Sequence, residues 1–174
     1  LILVGDGPLR RELEARLAQW GLSVGQALAD SDSNVIMTGF VNNPYELFSQ
    51  CDLQVAPSLA EGLGMAVIEG FSASLPVIAS DCHGGGLHDV LNASGHHQPG
   101  RTTAEQTGCG LLLPIPDPAK PETIEIWREH LVKLATEPSL YARLSAGARA
   151  RADDFAPEVI RPQWDALFEA LETS

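Results

Sequence analysis

Positive charge is scarce in this chain. Eleven Lys and Arg stand against 23 Asp and Glu, a formal net charge of −12, and no run of basic residues occurs. Binders of duplex DNA or RNA rely on clustered cations meeting phosphates, and a polybasic membrane anchor needs the same clustering, so nucleic acid as a partner and a polybasic anchor are both set aside. Cysteine is scarce too. Cys51, Cys82 and Cys109 are odd in number and form no CxxC pair or metal-type spacing, which suits buried thiols in a reducing compartment and points to the cytoplasm. The longest apolar runs are short, such as residues 1–4 and 110–113, so no transmembrane segment is expected.

What is present is enough for a packed core. The chain has 174 residues, 44% of them hydrophobic, and at this length folding hides roughly 70% of the unfolded surface without help from disulfides or a structural metal. It opens inside an apolar run at Leu1, which we read as a cut that removed an upstream part.

Short apolar runs alternate with helical periodicity. Residues 1–4 read as a buried strand ended by Gly5-Asp6-Gly7-Pro8, and Leu9, Leu13, Leu17 and Trp20 recur at helical steps before Gly21. This helix should point Arg10 and Arg11 outward. Residues 23–33 read as a polar linker, and residues 34–38, 52–56, 75–80 and 111–113 as further strands. Helices are expected over residues 44–50, 65–73 and 87–91. Residues 92–108 lack apolar periodicity and read as an inserted loop, and the tail carries three amphipathic helical stripes. Strands and helices in this alternation predict an α/β fold, a doubly wound, Rossmann-like parallel sheet with C-terminal helices, whose ligand lies at the carboxyl ends of the strands. The glycine-bearing loops at 5–8, 39–44, 57–64 and 81–86 therefore mark the functional edge.

One of these loops has chemistry of its own. Glu61-Gly62-Leu63-Gly64-Met65 leads into a helix that carries Glu69. A glutamate pair at this interval says little by itself, since Glu129 and Glu137 share it on a plain amphipathic helix. The setting says more. Pro57-Ser58 ends a strand, and a glycine-rich helix start leaves backbone N–H groups of Gly62, Leu63, Gly64 and Met65 for an anionic group. A carboxylate is acceptor-only, so Glu69 can take both hydroxyls of a ribose while Glu61 reads sugar hydroxyls. Other polar residues read more plainly. The pair His96-His97 has no third ligand near it in sequence and reads as solvated, His88 and His130 as surface or boundary helix residues, and the cysteines as buried hydrophobes. No GxSxG elbow surrounds Ser58.

Several of these segments together resemble a known family. Pro57-Ser58-Leu59-Ala60-Glu61-Gly62-Leu63-Gly64 with Glu69, residues 75–81, Val4-Gly5-Asp6-Gly7-Pro8-Leu9, residues 34–41 and Gly110-Leu111-Leu112-Leu113-Pro114 are similar, in order, to the nucleotide-sugar-binding C-terminal domain of the family 4 retaining glycosyltransferases, which have the GT-B fold. The resemblance implies a donor domain over residues 1–174 that lacks its first strand–helix unit, with a C-terminal helix over 156–172 packing toward an absent N-terminal domain. It implies transfer from a nucleoside-diphosphate sugar to a glycan or lipid-linked acceptor, with retention, no metal and no other cofactor. Glu61 is the implied catalytic-site residue. Gly62, Leu63, Gly64, Met65, Glu69, Phe40, Val41, Gly5, Gly7, Pro57, Ser58 and His83 are the implied donor contacts. The family's diphosphate-gripping Arg and Lys precede the segment matching Leu1, so the chain alone is expected to be inactive. The resemblance also implies work in the cytoplasm, with peripheral attachment at the inner membrane face. Competing readings are a GT-B sugar-nucleotide epimerase, a binding domain without chemistry, and a nicotinamide-dependent dehydrogenase. The last is disfavoured because Gly5-Asp6-Gly7 lacks the third glycine and the acidic partner downstream.

Overall fold

A computed structural model describes residues 1–30, 32–98 and 100–172. Ser31, Pro99, Thr173 and Ser174, which belong to the expected linker, the expected loop and the chain end, lie outside the described residues. Two compact units divide the chain, Leu1–Pro44 and Tyr45–Ser174.

The first unit holds three strands, β1 (Ile2–Val4), β2 (Val24–Gly25) and β3 (Val35–Gly39), and one helix, α1 (Arg10–Gln19). All pairs are parallel, in the order β1-β3-β2. Leu17 of α1 packs on Val35 and Met37 of β3. Leu9, Leu13 and Trp20 of the same stripe remain exposed. β2 lies inside what the sequence presents as a linker, because two residues are too few to show alternation. Arg10 does not point outward: its guanidinium reaches the carbonyl of Met37 at 2.9 Å, the side chain of Gln26, and Glu14 at 3.1 Å.

The second unit contains α2 (Tyr45–Phe48), β4 (Gln54–Ala56), α3 (Met65–Ser72), β5 (Val77–Ser80), α4 (Gly86–Val90), β6 (Glu105–Gln106), β7 (Gly110–Leu113), α5 (Pro121–Thr136), α6 (Pro138–Asp153) and α7 (Pro157–Glu172). Its sheet runs β4-β5-β7-β6, parallel except for the antiparallel β6. β5 shows why its sequence is apolar from Val77 to Ala79. Val77 and Ala79 pack with Phe71, Leu87 and Val90 in one cluster, whereas Ile78 packs with Trp127, Leu134 and Leu144 in another. Alternate residues thus enter separate cores, the condition of a strand covered on both faces. Arg151 of α6 closes α4 by donating to the last carbonyls, Val90 O at 2.9 Å and Asp89 O at 2.8 Å. The sequence places α7 correctly, yet none of its residues is buried, and Trp164 stacks on Phe168 with ring centroids 5.9 Å apart. No helix among the described residues is long and apolar enough to cross a membrane.

Candidate functional site

In the first unit the amide of Gly5 donates to Gly39 O at 2.8 Å, which draws the two glycine loops together after β1 and β3. Gly5 has φ +116, a conformation that favours glycine. Gly7 is exposed, Phe40 fully open at 82% exposure, and Val41 half-buried.

In the second unit β4 and β5 end side by side, and the loops that follow them are stitched together. Ser80, fully buried at the end of β5, donates to Ser58 O and fixes the Pro57-Ser58 turn. One residue pair further on, Glu61 N donates to His83 O at 2.9 Å and His83 N to Leu59 O at 3.2 Å. The three glycines after His83 let this happen. A side chain at Gly84 would overlap the carbonyl oxygen of Glu61, and one at Gly86 would overlap that of Gly62. Gly64 starts α3 from φ +82, with Leu87 packed where its side chain would be.

The consequence is a held loop with open donors. The amide of Gly62 is engaged by the carboxylate of Glu61 at 3.2 Å, while those of Leu63, Gly64 and Met65 make no hydrogen bond among the described residues. Such amides at a helix start suit an anionic group. Glu69 is exposed one turn beyond Met65, and the i, i+4 interval puts both on one face of α3. Pro57 and the His83 imidazole are exposed and Ser58 is half-buried. Pro57, Ser58, Glu61, Gly62, Leu63, Gly64, Met65, Glu69 and His83 therefore lie in one stretch of this unit. Burial, with Glu61 and Asp81 as smaller contributors, raises the Cys82 thiol above its ordinary range and keeps it protonated. Burial raises Cys109 as well.

Beside this loop stands a group of residues that the sequence analysis did not single out. Asp81, at the carboxyl end of β5, has no exposed side-chain surface and accepts from His97 Nδ1 at 2.5 Å, the Gln98 amide at 3.1 Å and Arg101 Nε at 2.9 Å. Arg101 also reaches Glu105 at 3.0 Å, and Glu105 binds the amide and hydroxyl of Ser94 at 2.6 and 2.8 Å. Burial pushes the Asp81 carboxyl up, but the bonds from Arg101, His97 and Gln98 together outweigh it and hold the group below the usual carboxylate range. His97 is thus anchored rather than solvated. His88 is buried rather than at the surface, with no partner for its Nε2 among the described residues and its ring edge-on to that of His97, centroids 6.1 Å apart. Among the described residues, no three His, Cys, Asp or Glu side chains come together as a metal site.

The family described as Glycosyl transferases group 1 matches residues 1–119. The chain belongs to that family. An uncharacterized glycosyltransferase of Methanocaldococcus jannaschii is 27% identical over 97% of this group 1 chain, which spans 41% of that relative. The putative glycosyltransferase EpsF of Bacillus subtilis is 37% identical over 78% of the chain, with 27% of EpsF covered. Among solved structures, sucrose-phosphate synthase from Thermosynechococcus elongatus aligns over 99% of the chain and 38% of its own, with a TM-score of 0.71 at 24% identity. Anabaena HepE, in complex with UDP and glucose, aligns over 97% of the chain and 40% of its own, with a TM-score of 0.71 at 20% identity. The group 1 chain therefore spans less than half the length of these proteins. Its α/β architecture, with parallel strands and C-terminal helices, is that of a C-terminal domain of the GT-B fold, as the sequence resemblance implies and these structures share.

Proposed function

We propose that this chain is the donor-binding part of a glycosyltransferase that moves a sugar from a nucleoside-diphosphate sugar to a glycan or lipid-linked acceptor. The supporting observation is the Glu61–Met65 loop with the helix that follows it: beyond the carboxyl end of β4 they combine unpartnered amides with two carboxylates, Glu61 in the loop and Glu69 on α3, inside the segment that matches the group 1 family. Donors suit the phosphates and acceptors the hydroxyls. HepE, of the same fold, holds UDP and glucose.

In this reading the enzyme is a family 4, retaining transferase. Glu61 contacts the donor sugar and Glu69 the ribose. The amides of Gly62, Leu63, Gly64 and Met65 face sugar and phosphates, and Phe40 and Val41 lie by the base. Gly5, Gly7, Pro57, Ser58 and His83 complete the donor contacts. The leaving diphosphate assists deprotonation of the acceptor on the same face, so neither a metal nor a protein base is required. The acceptor domain covers Trp164, Leu167, Phe168 and Leu171 of α7, each about half or more exposed. The enzyme acts in the cytoplasm, on acceptors presented at the inner membrane face.

Calorimetry on the complete protein tests the assignment. Glu69→Ala should weaken binding of the free nucleoside diphosphate by about 2 kcal/mol, the loss of charge-assisted hydrogen bonds to a diol. Unchanged affinity removes the ribose role. Glu61→Ala should lower turnover while leaving diphosphate affinity nearly intact; equal losses of both count against a sugar contact.

A further inference from the structure

The group of residues around Asp81 has a feature that a structural tie does not require. Asp81 is fully buried and, held below the carboxylate range, is ionised at neutral pH and accepts only. The hydrogen on its bond to His97 therefore sits on Nδ1. In the neutral ring this tautomer leaves Nε2 as a lone-pair acceptor, and no partner for it occurs among the described residues.

The ring is also locked in place. His97 Cγ and Cδ2 lie against Gly85, close enough that a side chain there would press on the imidazole, and His88 stands edge-on beside it. Gly85 lies between Gly84 and Gly86, where an added side chain would overlap the carbonyls of Glu61 and Gly62. One three-glycine turn thus carries the Glu61 loop against its outer residues and the His97 ring against its middle one. Asp81 is wholly enclosed, whereas the His97 side chain keeps 26% of its surface in solvent. An imidazole with one nitrogen fixed by a buried carboxylate and the other open is the arrangement by which proteins aim a histidine at a ligand.

We propose that His97 is a further donor-site residue whose Nε2 accepts a hydroxyl hydrogen from the transferred sugar, with Asp81 as its positioning residue. A sugar hydroxyl fits better than a phosphate, because Nε2 is an acceptor in this tautomer and Asp81 and Glu105 make the surroundings negative. Arg101, the cation at hand, is engaged by both of those carboxylates. The inference rests on the donor-binding reading above and extends it to a residue outside the Glu61 loop.

The test uses the complete protein and calorimetry with UDP-glucose, UDP-N-acetylglucosamine, ADP-glucose and GDP-mannose, each paired with its free nucleoside diphosphate. His97→Asn keeps an amide donor near the Nδ1 position and removes the distal nitrogen. For the sugar nucleotide that the wild type binds most tightly, its affinity should fall about tenfold, the size of one lost hydrogen bond. Affinity for the matching free diphosphate and the thermal midpoint should stay unchanged. His97→Gln, whose amide reaches the distal position, should recover part of the loss. Equal weakening of both ligands, or of neither, overturns the inference, and so does a His97→Asn protein that no longer folds, since each marks a structural tie. A wild-type protein that binds none of the sugar nucleotides overturns the donor-binding reading itself, an outcome separate from any difference between variants.

Discussion

Asp81→Ala is expected to lower the unfolding free energy of the complete protein by about 3–5 kcal/mol, the cost of removing one partner from a buried ion pair and leaving the other enclosed. Three donors from residues 97, 98 and 101 converge on this carboxylate, and the side chain of Arg101 is only 8% exposed, so its charge cannot be rehydrated without opening the segment. The readout is the urea midpoint. Because the Asp81 pKa is depressed on folding, its contribution is fully present above the unfolded value of about 3.9 and is lost as pH falls through the lower folded value. Wild type should therefore lose stability in acid below the ordinary carboxylate range with a steeper slope than Asp81→Asn. Matching acid slopes in the two proteins would mean that this carboxylate is not held as described.

Gly84→Ala should cost about 2–4 kcal/mol and weaken donor binding as well. Two independent penalties coincide at Gly84. Its φ of +98 is strained for any L side chain, and the new methyl would overlap the backbone oxygen of Glu61, which cannot rotate away as a side chain can. Relief requires the Glu61 loop to move, so affinity should fall together with stability. Gly95→Ala is the internal standard: φ is +73 there, but no described residue lies within 4 Å of the added methyl. It should show only the conformational penalty, about 1 kcal/mol, with donor affinity unchanged. Similar losses in both variants would remove the argument from backbone contact.

The order of strands and helices was readable in the sequence because it depends on short-range pattern. β5 is apolar from Val77 to Ala79 because both faces are covered, and the helix of Leu140 and Leu144 shows the core-facing step of four. β2 and β6 were not readable, having two residues each. The Glu61 loop could be singled out because glycine, helix start and carboxylates lie within nine residues of one another. The ties on Asp81 could not, since its side-chain partners stand 16 and 20 residues away in a stretch without periodicity. A usable signal did exist: Asp81 follows the end of a strand whose apolar run marks it as covered on both faces, and the loop at 92–108 contains one arginine able to answer it. Arg10 departs from its expected outward position for a related reason. A helical wheel places it on the wet face, but its length lets the guanidinium fold back to the carbonyl of Met37.

β6 has a bearing on solubility. A sheet edge with free N–H and C=O groups is a template on which another chain can add a strand and begin to aggregate. At the β7 side of the second unit that template is taken by two residues running antiparallel, Glu105 and Gln106, one of them an acid already bound to Arg101 and Ser94. A strand this short and this polar offers an incoming chain almost no register to copy, so the edge is blunted by the same segment that carries His97.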